Sequence, residues 1–426
     1  MAKTRRAAHR FATAKSALGN RLTATLTTGA IAALCATTGL PTISQAADTS
    51  PIPVGLVLAK QGNFAELGED GAHGAMLALK DAGGSVLGRP VKLIWADEAS
   101  PQAAQQNMSR LIEEDKIVAV VGGTNSATAL AISALAKRAK VPTIVVSAAS
   151  QNLTGKECNR YTFRSQVTVP VAARALAPSL LLKGKRWYFV AANYAFGQEV
   201  YDAMKAPLLQ AGGTEVGVDR PPLGTSDFSS FILKIRQANP DVIVSGVVGN
   251  DFNNLAKQYA QYGMQKRSLL AGPVIFDSAV WTLGADSATG LYGKNWYYAD
   301  PQNPPEEVRM VKEWTAQYGR PPSDVAWEGW MSMRMLLLAI GQAKTTDGPA
   351  IVKALETIKV SGGALPAYYR SWDHQFIHQI LVVEAGAPKR DKWERLTIEK
   401  RVPENVAGID ALYGTPEQIG CKMDEY

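Results

Sequence analysis

The chain has 426 residues, of which 46% are hydrophobic, and its 45 lysines and arginines exceed its 38 aspartates and glutamates. Six of those basic residues and none of the acidic ones lie in residues 1–46, so the remainder carries 39 basic against 38 acidic side chains, a net charge of +1. A nearly neutral remainder lacks the basic surface that nucleic acids or anionic lipids attract, which argues against both as partners.

The first 46 residues have the architecture of an export signal. A basic stretch is followed by an uncharged run at 22–40 and by Ser44 and Ala46, the small residues that a signal peptidase reads. We therefore predict that residues 1–46 are removed and that the rest works as a soluble protein in the periplasm. Arg5 and Arg6 leave the twin-arginine export route open, and a disordered basic tail or a membrane anchor is the alternative.

The rest of the chain alternates short apolar strands with amphipathic helices. In chain order we predict strands at 52–59, 91–96, 117–121, 141–147, 187–191, 214–218, 242–246, 268–271 and 379–384, and helices at 71–80, 103–114, 126–139, 198–209, 306–318, 327–343 and 350–358. This alternation predicts an α/β fold with parallel sheets covered on both faces. About 380 residues exceed one ordinary core, which indicates two lobes. The tail from Arg401 is polar, and we expect it to be irregular.

Two predicted strands end in small and hydroxyl residues. The first runs into Gly122 and Gly123 and then into a helix that starts near Ser126. The second runs into Ser147 and Ser150. Ligands of open parallel sheets bind at the carboxyl ends of the strands, and a helix N-terminus attracts anions. These segments therefore suggest a carboxylate site, although capping and packing explain the same residues.

Several segments, in this order, resemble the type I periplasmic binding proteins, and among them the leucine/isoleucine/valine-binding receptors of ABC importers. The segments that carry this resemblance are 65–68, 71–79, 82–84, 121–126, 141–154, 161–164, 193–197, 249–251 and 326–330. The resemblance covers about residues 51–385. It implies two Rossmann-like lobes joined by a three-segment hinge near 164–165, 297–298 and 358–363, with a ligand clamped between the lobes.

The resemblance also implies lobe boundaries. The N-terminal lobe would comprise 47–168 and 298–360, and the C-terminal lobe 169–297 and 361–400. Residues 1–46 would be the signal peptide and 401–426 a C-terminal tail.

The family's ligand contacts can be carried over to nine positions. They are Leu67, Asn125, Ser126, Ala149, Ser150, Tyr194, Phe196, Asn250 and Asp277. Ser126, Ala149 and Ser150 would hold a carboxylate, and Phe196 would supply an apolar wall. Asp277 is the candidate for an ammonium contact, with a helix cap as the alternative.

Two cysteines, Cys158 and Cys421, remain after signal removal. An oxidising compartment and an even count predict a disulfide between them, the alternative being two free thiols.

Catalytic patterns are weak in this sequence. Asp373, His374 and His378 suggest a metal site or a base, but without further ligands we interpret them as surface or packing residues. We therefore predict no enzyme activity, no metal and no cofactor.

The predicted function is that of a monomeric receptor that delivers a small apolar carboxylate, a branched-chain or related amino acid, to an ABC permease in the cytoplasmic membrane. The alternatives are a receptor for aromatic acids, amides or urea-like solutes, and a sensor for another membrane partner.

Overall fold

The computed structural model describes residues 48–284 and 287–425. The predicted signal peptide therefore lies outside the described residues. Among the helices that are described, none has both the length and the apolarity needed to cross a membrane.

The first lobe is built on a six-stranded sheet with the order β2-β3-β1-β4-β5-β6. Its strands are β1 (Ile52–Val57), β2 (Ser85–Val86), β3 (Arg89–Ala96), β4 (Ala119–Gly122), β5 (Thr143–Val145) and β6 (Thr162–Arg164), and its helices are α1 (Ala65–Asp81), α2 (Pro101–Glu113) and α3 (Ser126–Ala139). All neighbours are parallel except β2 and β3. The central strands β1 and β4 are buried almost throughout, which is why they read as near-continuous apolar runs.

The second lobe begins with five parallel strands and their helices. They are α4 (Val169–Leu181), β7 (Arg186–Ala191), α5 (Ala195–Gln210), β8 (Thr214–Asp219), α6 (Ser229–Ala238), β9 (Val242–Gly246), α7 (Asn250–Gln261), β10 (Leu269–Gly272), α8 (Asp277–Thr282) and β11 (Gly290–Lys294). Strand β11 was not predicted, because its glycines and its lysine interrupt the apolar pattern.

The chain then passes through three helices and a small antiparallel sheet. These elements are α9 (Pro305–Tyr318), α10 (Asp324–Ala343), α11 (Gly348–Leu355), β12 (Lys359–Gly362), β13 (Leu365–Tyr369) and β14 (Phe376–Ile377). The three short strands were not predicted. The predicted lobe boundaries stay a prediction.

The last segment completes the second sheet with β15 (Ile380–Ala385) and β16 (Leu396–Val402), giving the order β16-β15-β11-β10-β9-β7-β8. Strand β15 is antiparallel to both of its neighbours. The expectation of an irregular tail is wrong, because α12 (Ile409–Tyr413) and α13 (Pro416–Ile419) follow. Leu412 and Tyr413 are buried, and Cys421 is joined to Cys158 by a disulfide.

Helices α1 and α10 cross at very short range, although they are far apart in the chain. A Cβ atom on Gly74 would lie 2.0 Å from the carbonyl oxygen of Ala326, and one on Gly329 would lie 2.0 Å from that of Gly71. Trp330 Nε1 donates to Asp81 Oδ2 across the same interface at 2.8 Å. Glycine is required here because only a residue without a side chain lets the two backbones touch.

We expect Gly329→Ala to lower the free energy of unfolding by about 1–3 kcal/mol, because the new methyl group must push two packed helices apart. Gly341→Ala is the matched control in the same helix, since the nearest atom to its new Cβ is Val86 Cγ2 at 3.9 Å. That control should be neutral or slightly stabilising, because alanine favours helix over glycine. Urea denaturation measures both, and equal effects would contradict the close crossing.

Candidate functional site

The carboxyl ends of β1, β4 and β5 face loops of the second lobe across a small cavity. We call this space the cavity. Its walls are formed by Phe64, Leu67, Thr124, Asn125, Ser126, Ser147, Ala148, Ala149, Tyr194, Phe196, Val248, Val274 and Phe276. It lies between two lobes and at strand ends, the places where small-molecule sites of α/β folds concentrate.

The start of α3 places the hydroxyl of Ser126 in the cavity. Asn125 caps the helix, and its Oδ1 accepts hydrogen bonds from the backbone N–H groups of Ala127 at 3.0 Å and Thr128 at 3.1 Å. Ser126 is 3% exposed, and its Oγ accepts from the backbone N–H of Ser150 at 3.2 Å. Among the described residues, the Ser126 O–H group donates to no protein acceptor, so it can donate to a molecule in the cavity.

Backbone donors meet this hydroxyl from the loop after β5. Among the contacts of the described residues, the backbone N–H groups of Ala148 and Ala149 donate to no protein acceptor. With the Ser126 hydroxyl and the N-terminus of α3, they form what we call the anion site. Such a set suits a carboxylate, which accepts several hydrogen bonds at once.

A buried arginine supports the same loop from behind. Arg164 is fully buried, and its guanidinium donates to the carbonyl oxygen of Ser150, to Thr154 Oγ1 and to Gln375 Oε1. Burial lowers the pKa of Arg164 to about 10, so it remains charged at neutral pH. It fixes the loop and adds positive potential near the anion site.

Glu98 lies beside the anion site, two residues after β3. Its Oε1 accepts from the backbone N–H of Thr124 at 2.5 Å, and within the described part of the chain its Oε2 is buried without a hydrogen-bond partner. Burial raises the pKa of the Glu98 carboxyl to about 8. The group is therefore mainly protonated at neutral pH and does not repel an anion in the cavity.

Four aromatic rings form much of the remaining wall. Phe64 comes from the first lobe, and Tyr194, Phe196 and Phe276 come from the second. The rings of Tyr194 and Phe196 lie 6.0 Å apart and nearly parallel, with 27° between their planes. Within the described part of the chain, no residue that lines the cavity carries a carboxylate.

Six of the nine predicted contact residues line the cavity. They are Leu67, Asn125, Ser126, Ala149, Tyr194 and Phe196. Ser150 instead donates its hydroxyl to Glu199, whose Oε2 also accepts from the backbone N–H of Gln151 at 2.7 Å. Asn250 lines an adjoining recess. The ligand roles of all nine residues stay predictions.

Asp277 belongs to a buried ionic cluster with Lys294 and Asp324. Lys294 Nζ lies 2.9 Å from Asp277 Oδ2 and 3.0 Å from Asp324 Oδ2, and all three side chains are at most 1% exposed. Burial raises the pKa of Asp277, and the attraction of Lys294 opposes that rise. These contacts indicate a structural role, and the ammonium contact predicted for Asp277 stays a prediction.

The sequence prediction missed several residues of the site. Phe64 and Phe276 line the cavity, and Glu98 lies beside it. Thr124 and Ser147 also line the cavity; they fall in the two strand-end segments predicted to hold a carboxylate but were not among the nine predicted contacts. Phe64, Glu98 and Phe276 each follow the end of another strand. The strand-end rule that selected Ser126 would have selected them if it had been applied to every strand.

The late histidines are packing residues. The ring of His374 is stacked on Phe163 at 3.8 Å, and its Nε2 lies 2.9 Å from Glu356 Oε1. His378 lies against Trp327 and borders a separate recess beside the chain segment after β11. Within residues 48–284 and 287–425, no group of three or more His, Cys, Asp or Glu side chains is arranged to hold a metal ion.

Comparisons with known proteins agree with this architecture. Residues 51–391 match the family described as Periplasmic binding protein. The Leu/Ile/Val-binding protein homolog 6 of Brucella abortus is 25% identical over 328 residues, which are 74% of this chain and 82% of that protein. A periplasmic binding protein from Burkholderia mallei is similar in structure, with a TM-score of 0.80, 25% identity, and coverage of 87% of this chain and 98% of the other.

A solute binding protein of an ABC transporter from R. palustris, solved in complex with benzoate, shares the fold. Its TM-score is 0.77 at 22% identity, and the match covers 87% of this chain and 99% of that one. The α/β fold in two lobes and the resemblance to leucine/isoleucine/valine-binding receptors, both predicted from the sequence, are confirmed.

Proposed function

Because the chain belongs to the periplasmic binding protein family, we propose that it is the solute receptor of an ABC importer and binds a small aromatic carboxylate in the cavity. The family consists of receptors that bind solutes. The proposal concerns the class of ligand and the delivery of that ligand to a permease.

The lining of the cavity is the observation that carries this proposal. One end offers a hydroxyl and two backbone N–H groups that donate to no acceptor among the described residues, and the remaining walls include four aromatic rings. Among the described residues, no acidic side chain lines this space, so an ammonium group there would lack a partner, and a buried unpaired charge is costly. An aromatic acid offers a carboxylate to the donors of the anion site and a ring to the aromatic walls, and it carries no cationic group.

A branched-chain amino acid is the second candidate. The Brucella abortus relative is named as a Leu/Ile/Val-binding protein homolog. The apolar side chain of such an amino acid would fit the same walls, and its carboxylate would fit the same anion site. The ammonium group distinguishes the two candidates. The solute binding protein from R. palustris, which shares this fold, was solved in complex with benzoate, so the fold can accommodate an aromatic acid.

Contacts between the lobes fit a ligand clamp. Asn63 of the first lobe donates from Nδ2 to the carbonyl oxygen of Val248 at 3.4 Å and accepts from the backbone N–H of Asp251 at 3.3 Å. Glu199 bridges to Gln151 on the other side of the cavity. A ligand that contacts both lobes would favour this closed arrangement by population shift.

The partner and the compartment are part of the proposal. The receptor would work in the periplasm as a monomer and pass its ligand to an ABC permease in the cytoplasmic membrane. A membrane sensor that reads occupancy is the alternative partner. Intact-mass analysis of the exported protein tests the compartment, because the signal architecture predicts a chain that begins near residue 47.

Isothermal titration calorimetry of the purified protein tests the ligand class. We expect benzoate to bind more tightly than leucine, isoleucine or valine, and benzamide, which lacks the negative charge, to bind weakly. Tighter binding of leucine than of benzoate would favour the amino-acid candidate. Binding of benzamide but of no carboxylate would reject both.

We expect Ser126→Ala to weaken benzoate binding by about ten- to a hundredfold, since one hydrogen bond to a charged group contributes roughly 1.5–3 kcal/mol. Ser133→Ala is the matched control. Ser133 is a buried serine of the same helix, but its hydroxyl bonds Thr162 and Asn159 instead of lining the cavity. Calorimetry should show unchanged affinity for the control. Unchanged affinity for Ser126→Ala would place the carboxylate elsewhere.

A further inference from the structure

A polar recess adjoins the cavity at the end away from the anion site. Its walls are Asn63, Glu66, Leu67, Gly249, Asn250, Asn253, Phe276, Ser278 and Ala279. We call it the distal recess. Leu67 and Phe276 belong to both spaces, whereas no residue of the anion site borders the distal recess. A group that reaches it therefore contacts none of the residues of the anion site.

The floor of the distal recess contains an acceptor without a partner. Asn253, in the first turn of α7, is 9% exposed. Its Oδ1 is buried, and no hydrogen bond reaches it from the described residues. A buried carbonyl oxygen that lacks a donor costs free energy, and a ligand that supplied the donor would recover it.

The other polar groups of the distal recess also favour a ligand group that donates a hydrogen bond. Ser278, which is buried, and Glu66, which is at an exposed position of α1, also border the distal recess. A hydroxyl group on a ligand can donate to Asn253 and share a bond with Ser278. A second carboxylate would instead meet Glu66 and the lone pairs of Asn253, so it should be rejected.

We propose that the distal recess is a second binding subsite that takes a hydrogen-bond-donating group, such as a phenolic hydroxyl, at the far end of an aromatic carboxylate. This inference rests on the proposed function and narrows it. The ligand would be a hydroxylated aromatic acid, with its carboxylate at the anion site, its ring between the aromatic walls and its hydroxyl at Asn253.

Calorimetry with four probes tests this subsite: benzoate, 4-hydroxybenzoate, 4-methylbenzoate and terephthalate. The wild type should bind 4-hydroxybenzoate at least about tenfold more tightly than 4-methylbenzoate, which has nearly the same size but no donor. Terephthalate should bind more weakly than benzoate. In Asn253→Leu the tenfold preference should disappear, while the affinity for benzoate stays within about twofold.

Asn254→Leu is the matched control, because this adjacent asparagine of α7 does not border the distal recess and bonds the carbonyl oxygen of Thr225. It should keep the preference for 4-hydroxybenzoate. Ser278→Ala provides a second, smaller substitution in the distal recess, and it should reduce the same preference even if Asn253→Leu does not fold.

The outcomes distinguish a failure of the subsite from a failure of the proposed function. If benzoate binds but 4-hydroxybenzoate gains nothing over 4-methylbenzoate, or if neither variant of the distal recess changes that gain, the subsite is wrong and the proposed function stands. Tightest binding of terephthalate would equally overturn the preference for a donor. If no benzoate binds to the wild type, the proposed function fails and the subsite fails with it.

Discussion

Lys294→Met should lower the free energy of unfolding by about 3–5 kcal/mol, which is the usual cost of removing one partner from a buried ion pair. Lys294 is the cation between Asp277 and Asp324, and the side chains of all three are at most 1% exposed. Methionine has a similar length but no charge, so two carboxyl groups would be left buried without their counter-ion. Urea denaturation at pH 7 measures the loss.

The triple variant Lys294→Met with Asp277→Asn and Asp324→Asn is the control. It removes the two charges that the single variant leaves unpaired, so it should recover much of the lost stability. The cluster also joins the two lobes. Asp277 opens α8 and Lys294 closes β11, whereas Asp324 opens α10, which packs against α1. A single variant as stable as the wild type would show that the cluster contributes little.

Glu98→Gln should change how stability depends on pH. Burial raises the pKa of Glu98 from 4.5 to about 8, so the folded protein keeps a proton that the unfolded chain releases. Its contribution to stability is complete below pH 4.5 and is lost as the pH rises towards 8, by about 1.4 kcal/mol per pH unit. Glutamine does not titrate, so the variant should lose several kcal/mol less between pH 5 and pH 8.

The same substitution should remove a pH effect on binding. Above pH 8 the ionised Glu98 places a negative charge behind Thr124, which lines the cavity, and the affinity of the wild type for benzoate should fall. Glu98→Gln should bind benzoate equally at pH 7 and pH 9. Glu69→Gln, at an exposed position of α1, is the control for a lost carboxyl group and should follow the wild type. Equal pH slopes in Glu98→Gln and wild type would contradict this role.

The sequence pattern predicted best the strands that are buried on both faces. Strands β1, β4 and β9 have both faces covered, so apolar runs reveal them directly. The strands β12 to β14 and the helices of the tail are too short to show a periodic pattern in the sequence, and contacts with distant segments stabilise them. One such contact is the hydrogen bond from Tyr413 Oη to the carbonyl oxygen of His378 at 2.7 Å.

The candidate site was predictable where local chemistry determines it. Ser126 follows a glycine turn and opens a helix, which is a pattern visible in the sequence. The partners of Asp277 and Ser150 were not visible, because Lys294 and Glu199 come from other elements and only the fold brings them together. The same holds for Asn253, whose position in α7 predicts no particular ligand contact.

The close crossing of α1 and α10 has a consequence for the order in which the lobes mature. Asp81 and Trp330, which bond across that interface, are separated by 249 residues. The apolar face of α1 therefore stays uncovered while the five parallel strands of the second lobe are made. The first lobe begins to be synthesised first, but its last helix is synthesised late, so hydrophobic surface stays exposed in between. Chaperones bind such exposed surface.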